Sequence, residues 1–206
     1  MAERRPAAKS ARTQSTVSGE SWDGRDISEQ EFEHTLFADV DMTELVNRGA
    51  VFTECTFRKV KLNCSTHTDA AFVNCIFDAC SFFDAKLTDC KMVGSRFSNC
   101  NFELAEVRGG NWSHVGLADA KLGDASFTGV RLAEADLTGA RCVEGKLRDC
   151  DLAGAWVARA DFTDCDLRGS DLGALNPEET TLRGAIVTAR QAVMIAVALG
   201  LDVRED

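Results

Sequence analysis

A five-residue period runs through most of this 206-residue chain. Every fifth residue from Ile27 to Val187 is apolar except Asn47, His67 and Pro177, and the residue two places earlier is small at nearly every repeat. Of the 12 Phe, only Phe83 lies outside this phase. Because an α-helix repeats every 3.6 residues and a strand every two, neither element accounts for the period. The pattern predicts a coil that turns a corner every five residues, with one large and one small side chain of each pentapeptide pointing inward.

Three pentapeptides show the motif in its clearest form: Cys165–Gly169 (CDLRG), Ala135–Gly139 (ADLTG) and Ala160–Asp164 (ADFTD). They resemble the A(D/N)LXX consensus of pentapeptide-repeat proteins, and the resemblance covers about residues 25–188. It implies an all-β solenoid, a right-handed quadrilateral β-helix with four pentapeptides to a coil. About eight coils at a spacing of about 4.8 Å form a rod of roughly 40 Å.

Residues twenty apart stack on successive coils of such a solenoid. We therefore expect a core ladder of Phe37, Phe57, Phe77 and Phe97. Asn47 and His67 stack in the same way, and two polar side chains at inward positions predict a local bulge or a flattened face. We expect His67 to be a satisfied or looped-out side chain rather than a catalytic one.

The two ends of the chain depart from the period. Residues 1–20 are rich in Ala, Arg, Ser and Thr and are predicted to be a disordered basic tail, which acts either as a solvated extension or as a tether. Residues 21–187 form the predicted β-helix. In residues 188–206, Thr188 and Gln191 indicate a capping box that begins a helix of about twelve residues, stopped at Gly200. This helix either plugs the open end of the solenoid or forms a homodimer contact, and the two roles are compatible.

Charge and cysteine usage limit the function classes. The net charge of −10 argues against direct binding of nucleic acid or an anionic membrane. No apolar run approaches the length of a membrane span, and no signal peptide is evident, so a cytoplasmic location is expected. Seven of the 9 Cys occupy the small inward position, which predicts buried free thiols rather than a metal site. No phosphate loop or nucleophile motif is present, so we expect a protein that is not an enzyme and has no cofactor.

Within the family, the chain resembles the quinolone-resistance proteins of the MfpA and Qnr type, which act on DNA gyrase, and is closer to MfpA because its register is unbroken. The resemblance implies a homodimer formed through the C-terminal helix and an acidic rod that mimics DNA on gyrase, a type II topoisomerase. The expected dimer interface is Ala192, Val193, Ala196, Val197, Leu199 and Leu201. The expected gyrase-facing carboxylates are Glu31, Glu33, Asp41, Glu44, Glu54, Asp84, Glu103, Asp151, Asp161, Asp164 and Asp171. The alternative is a structural scaffold that binds another protein, through Trp112, Trp156 or the C-terminal helix, with no role at gyrase.

Overall fold

Pentapeptides wind into a parallel β-solenoid with a short C-terminal helix in the computed structural model, which describes residues 13–204. The expected pentapeptide-repeat β-helix is confirmed, with about seven regular turns. An irregular coil of ten residues, 171–180, lies near the C-terminal end of the solenoid. Each turn has four sides, which we number in chain order as faces 1 to 4.

Short parallel strands line three of the faces. Face 1 holds β1 (Ser15–Ser18), β3 (Thr35–Ala38), β6 (Thr56–Arg58), β9 (Ile76–Asp78) and β11 (Arg96–Ser98). Face 3 holds β4 (Val46–Arg48), β7 (Thr66–Thr68), β10 (Lys86–Thr88), β12 (Glu106–Arg108), β13 (Ser126–Thr128) and β14 (Lys146–Arg148). Face 4 holds β2 (Glu31–Glu33), β5 (Val51–Thr53) and β8 (Ala71–Val73).

Face 2 is built from isolated bridges between residues twenty apart, beginning with Ser21 against Asp41 and ending with Asp161 against Thr181. The same offset of twenty relates every strand pair on the other faces, as in the pairing of Phe37 with Phe57 between β3 and β6. The register is therefore constant along the rod. Since consecutive pentapeptides occupy consecutive sides of a coil, faces 2 and 4 lie on opposite sides of the solenoid.

The corners of the coil require a left-handed backbone. The residue two places after each large inward side chain has a positive φ at almost every repeat, for example 53° at Asp39, 54° at Asn74 and 65° at Gly129. Few residue types adopt this conformation readily, and Gly, Asn and Asp are the most tolerant of it. This requirement explains why those residues are so frequent at that position of the repeat.

Phenylalanine rings form two stacked columns in the core. On face 1, the ring of Phe77 lies 4.6 Å from that of Phe57 and 4.7 Å from that of Phe97, with planes within 8° of parallel. On face 4, Phe52 and Phe72 stack at 4.7 Å, and the two columns meet edge to face. Trp22 packs edge-on against Phe37 at the N-terminal end of the face 1 column. The predicted ladder is therefore present, with a spacing set by the distance between neighbouring strands.

Asn47 and His67 do not produce the bulge that the sequence predicts. They pair in register in β4 and β7, and both side chains are buried. No bulge forms because their polar atoms are satisfied inside the core, which is the satisfied state expected for His67: Asn47 Nδ2 lies 3.1 Å from His67 Nδ1, and His67 Nε2 lies 3.0 Å from Ser65 Oγ. Ser65 donates in turn to the Leu62 carbonyl, and the Ala50 N–H donates to Asn47 Oδ1. A regular coil can hold this polar chain because every link has a partner.

The solenoid begins earlier than the sequence predicts. Strand β1 lies inside the predicted tail of residues 1–20 and pairs in register with β3. Ser15 and Val17 continue the small and large inward positions of the repeat, so the five-residue phase extends two repeats further than the Ile27 start. The remainder of that prediction, for residues 1–12, lies outside the described residues.

Helix α1 spans Ala189–Ala198, and Gly200 follows with a φ of 82°. The capping box between Thr188 and Gln191 is present as predicted. The Gln191 side chain is buried and donates to the carbonyls of Leu167 (2.7 Å) and Ser170 (2.9 Å) in the last coil. The helix thus covers carbonyl groups at the end of the solenoid, as a plug must. The sequence pattern predicted the capping role of Gln191 but not these contacts with the last coil.

Candidate partner-binding surface

Acidic side chains concentrate on two opposite faces of the rod. The outward positions of face 2 and of face 4 each sum to a charge of −4, whereas face 1 sums to −2 and face 3 is neutral. All eleven predicted gyrase-facing carboxylates lie on these two acidic faces. Face 2 carries Asp41, Glu44, Asp84, Glu103, Asp161 and Asp164, and face 4 carries Glu31, Glu33, Glu54, Asp151 and Asp171.

Four of the eleven carboxylates stabilise turns of the coil. Asp41, Asp151, Asp161 and Asp171 stand at the D/N position of the repeat, and each accepts the backbone N–H two residues later. Asp41 and Asp161 also accept the hydroxyl of the following Thr at 2.6 and 2.7 Å, and these hydrogen bonds lower the pKa of both carboxyl groups. The Asp of the consensus is therefore frequent in the sequence because its side chain stabilises the turn.

Ion pairs with the neighbouring coil neutralise part of the acidic surface. Lys61 lies 3.1 Å from Asp41 and Arg131 3.7 Å from Asp151. The His34 ring, which pairs with a carboxylate as an ion only when protonated, lies 3.4 Å from Glu54. Arg141 approaches Asp161 at 4.0 Å. Within residues 13–204, the candidates without an ion pair and outside the turn position are Glu31, Glu33, Glu44, Asp84, Glu103 and Asp164. Most of this free acidic set is exposed, and it is the part of the prediction best placed to meet a partner.

The C-terminal end presents an apolar surface. Val193 is 46% exposed and Val197 57% exposed, and Leu199 and Leu201 are also exposed. Ala192 is exposed and Ala196 half-buried, so the six predicted interface residues all reach the surface. Three exposed residues that the sequence reasoning left out extend this surface: Ile186, Met194 and Val203. Met194 could have been predicted as part of this surface, because it follows Val193 in the predicted helix.

The two candidate tryptophans have different surroundings. Trp112 is fully buried and stacks on Phe97 at 5.8 Å, so the prediction that it contacts a partner is wrong; it fills a large inward position of the repeat. Trp156 is 46% exposed and lines a groove of about 970 Å³ on face 1. The irregular coil forms one wall of this groove through Asn176 and Glu179, and Arg96 lies among the other lining residues.

Comparisons with known proteins agree with this architecture. A family model for the pentapeptide repeat region matches residues 50–141, and a model for eight copies of pentapeptide repeats matches residues 160–188. Together the two matches cover more than half of the chain. The chain belongs to the pentapeptide-repeat proteins. No curated protein matches the sequence.

Solved structures of other pentapeptide-repeat proteins resemble this one in fold. Trypsin-treated QnrB1, a plasmid-mediated fluoroquinolone resistance protein, is 21% identical with a TM-score of 0.52, over 92% of this chain and 99% of that one. Full-length QnrB1 is 18% identical with a TM-score of 0.46, over 90% and 100% of the two chains. HetL from the cyanobacterium Nostoc sp. strain PCC 7120, involved in heterocyst differentiation regulation, is 17% identical with a TM-score of 0.38, over 85% and 86%.

The cysteines of this pentapeptide-repeat protein behave as small core residues. All nine are free thiols, and Cys64 is exposed while Cys100 is half-buried. Burial raises the pKa of Cys90 and of Cys150 to about 11, so both thiols stay protonated at neutral pH. Within residues 13–204, no group of three or more His, Cys, Asp or Glu side chains is arranged to hold a metal ion. Over the same residues, the protein has no helix with the length and apolarity that crossing a membrane requires.

Proposed function

We propose that this protein binds DNA gyrase as a mimic of DNA, modulates the enzyme and protects it against fluoroquinolones or similar poisons. The observation that carries the proposal is the placement of negative charge on two opposite faces of a straight rod, with less acidic faces between them. A DNA duplex is also a rod with a high density of negative charge, carried by its two phosphate backbones, and a protein groove that receives DNA is positively charged. QnrB1, whose fold this chain shares, is a fluoroquinolone resistance protein.

The charge is uneven along the axis. Residues 23–44 sum to −7 and residues 161–206 to −5, whereas the middle of the chain sums to zero. Contact with a basic groove is therefore strongest at the two ends of the solenoid. Long-range attraction of this kind speeds association and sets orientation more than it adds affinity at single contacts. The protein competes with DNA for the same surface, which either inhibits gyrase or displaces drug-stabilised cleavage complexes.

A homodimer through the C-terminal end completes the proposal. The exposed apolar residues of α1 and its flanks have no cover within residues 13–204, and contiguous surfaces of this type commonly mark protein interfaces. Two rods of roughly 40 Å joined end to end present about 80 Å of acidic surface. The plug role and the dimer role use different residues, because Gln191 faces the last coil while Val193 and Val197 face solvent.

A supercoiling assay with purified gyrase tests the function. We expect inhibition, or protection when a fluoroquinolone is present, at micromolar protein, with binding that weakens steeply as salt rises because the attraction is electrostatic. The double variant Glu103→Gln with Asp164→Asn removes two free charges of face 2 and is expected to weaken binding about tenfold at low salt. Asp69→Asn, at a corner of the neutral face 3, is the matched control and is expected to bind as the wild type does. Absence of any complex at low salt, with neither inhibition nor protection, contradicts the proposal.

The dimer is tested by Val193→Asp and Val197→Asp. Each places a charge on the apolar surface, and we expect a monomer by sedimentation velocity with an unchanged far-UV circular dichroism spectrum. Arg190→Ala, an exposed change on the same helix, is the control and is expected to remain a dimer. Loss of folding in the Asp variants instead of loss of the dimer favours a role for these residues in the plug alone.

A second candidate function is a scaffold that binds another protein through the groove beside Trp156. The observation that favours it is the groove itself, which has an exposed aromatic wall and lies mainly on face 1. HetL shows that the fold also occurs in a protein involved in regulation of differentiation. Salt separates the two candidates, since an apolar contact at Trp156 persists at ionic strengths that dissociate a DNA mimic.

A further inference from the structure

The backbone ladder of face 2 has a single gap within residues 13–204. Bridges join residues twenty apart from Ser21 to Asn101 and again from Lys121 to Thr181, but none joins Asn101 to Lys121. One coil earlier, the Phe82 N–H donates to the Asn101 carbonyl at 2.8 Å and the Asp84 N–H donates to the Glu103 carbonyl at 3.0 Å.

At the gap, the backbone N–H groups at the equivalent positions have no hydrogen-bond acceptor in the described part of the chain. They are the N–H groups of Phe102, Leu104 and Lys121. Backbone donors in folded proteins are almost always paired with protein or solvent. The gap therefore leaves a set of main-chain donors in the middle of face 2 that can bond to a group from outside the chain.

Two apolar residues that the fold does not require lie near the gap, Leu104 at its edge and Phe83 one coil before it. Phe83 is the single Phe of the chain outside the inward phase, and it is half-buried on the outer surface of face 2. Leu104 is 50% exposed with a φ of 59°. It is the one large aliphatic residue at a left-handed corner among residues 13–204, where Asp, Asn, Glu or Gly usually stands. Neither burial nor backbone preference explains a leucine there, and such outliers often belong to functional surfaces.

Charge around this pair indicates what binds it. Asp84, Glu103, Asp124 and Glu144 lie on the coils around the gap together with the cations Lys121 and Arg141, so the local charge on face 2 is −2. Apolar residues at the centre of a charged rim are the usual arrangement of an interface hot spot. The complementary surface is positively charged and carries an apolar residue.

We infer that Phe83, Leu104 and the main-chain donors of the gap form a mid-rod docking site on face 2 for a positively charged protein segment. The inference rests on the proposed function and deepens it, because it names the part of the rod that holds gyrase. Electrostatic attraction at the two ends brings the partner to the rod, and the apolar pair fixes its position along the axis.

Binding measurements on two variants test the site. Leu104→Asn and Phe83→Thr are each expected to weaken gyrase binding about tenfold, and to leave the salt dependence of the affinity unchanged because no charge is lost. Asn is well suited to a left-handed corner, so Leu104→Asn is expected to keep its melting temperature. Val93→Thr, which also makes an outward apolar residue polar but on face 4, is the control and is expected to bind as the wild type does.

The possible results distinguish a failure of the docking site from a failure of the proposed function. If the wild type binds gyrase and both variants bind equally well, the docking site is overturned while the proposed function stands. If the wild type does not bind gyrase, both are overturned. If Leu104→Asn changes the oligomeric state in sedimentation, or regains full affinity when residues 1–12 are deleted, the occupant is a second copy or the chain's own N-terminal segment, and the inference is overturned.

Hydrogen exchange provides a readout on the site itself. In the free protein, we expect the amides of Phe102, Leu104 and Lys121 to exchange faster than those of Phe82 and Asp84, which are bonded. Addition of gyrase is expected to protect residues 101–124 more than the equivalent residues 41–64, which lie outside the site. Equal exchange in the free protein, or no protection in the complex, overturns the site.

Discussion

Replacing Phe77 by alanine is expected to lower the free energy of unfolding by about 3–5 kcal/mol, one of the largest effects of any single change in this chain. The ring is fully buried between Phe57 and Phe97, at centroid distances of 4.6 and 4.7 Å, and it meets Phe82 edge to face at 5.5 Å. Alanine leaves a cavity that cannot collapse, because the backbone hydrogen bonds on either side fix the spacing between coils. Urea unfolding followed by circular dichroism measures the loss.

Two further variants serve as controls for Phe77→Ala. Ser98→Ala changes an exposed residue on the same face, next to Phe97, and is expected to alter stability by less than about 0.5 kcal/mol. Phe77→Leu keeps most of the apolar volume and is expected to cost less than alanine. A loss below about 1 kcal/mol for Phe77→Ala contradicts a rigidly spaced ladder and indicates that neighbouring coils close over the missing ring.

The core of this fold could be predicted almost residue by residue. A period of five places Phe37, Phe57, Phe77 and Phe97 in one column, and the structure has them there with parallel rings. The reason is that each inward position is repeated many times, so an isolated exception such as Asn47 does not hide the rule. The capping box at Thr188 was equally readable, because it depends on local contacts only three residues apart.

The surface was harder to predict because an outward residue type does not reveal its contacts. Asp161 and Asp164 belong to the same pentapeptide, yet Asp161 accepts hydrogen bonds from Thr163 and lies near Arg141, whereas Asp164 makes no ion pair within residues 13–204. The same limit applies to the gap beside Leu104, which is a break in the backbone hydrogen bonding between two coils and is not encoded in a residue type. The structure was therefore needed to distinguish the carboxylates that stabilise turns or form ion pairs from those of the free acidic set.

The buried chain of Asn47, His67 and Ser65 predicts loss of stability in mild acid. Burial lowers the pKa of His67 to about 4, from 6.5 for an exposed imidazole. Its neighbours fit only the neutral ring, because Nδ1 accepts from Asn47 Nδ2 and Nε2–H donates to Ser65 Oγ, which itself donates to the Leu62 carbonyl. A proton on Nδ1 displaces the Asn47 amide and places an unpaired charge in the core.

The sign of the effect follows from the lowered pKa. Above pH 6.5 the imidazole is neutral in both the folded and the unfolded chain, and the full stability is present. Between pH 6.5 and 4 the unfolded chain binds a proton that the folded chain excludes, so the free energy of unfolding is expected to fall by about 3 kcal/mol across that interval. The carboxyl groups with lowered pKa values, such as that of Asp41, start from 3.8 and contribute mainly below this window.

Urea unfolding at pH 7.0, 6.0, 5.0 and 4.5 with a matched variant isolates the contribution of His67. The double variant Asn47→Leu with His67→Leu continues the apolar column to Leu87 and removes both polar partners, so its unfolding free energy is expected to change little between pH 7 and 5. The single variant His67→Leu leaves Asn47 Nδ2 without its acceptor and is expected to cost about 1–3 kcal/mol at pH 7. A wild-type protein as stable at pH 4.5 as at pH 7 contradicts a neutral buried imidazole, and a double variant that keeps the wild-type pH dependence assigns it to groups other than His67.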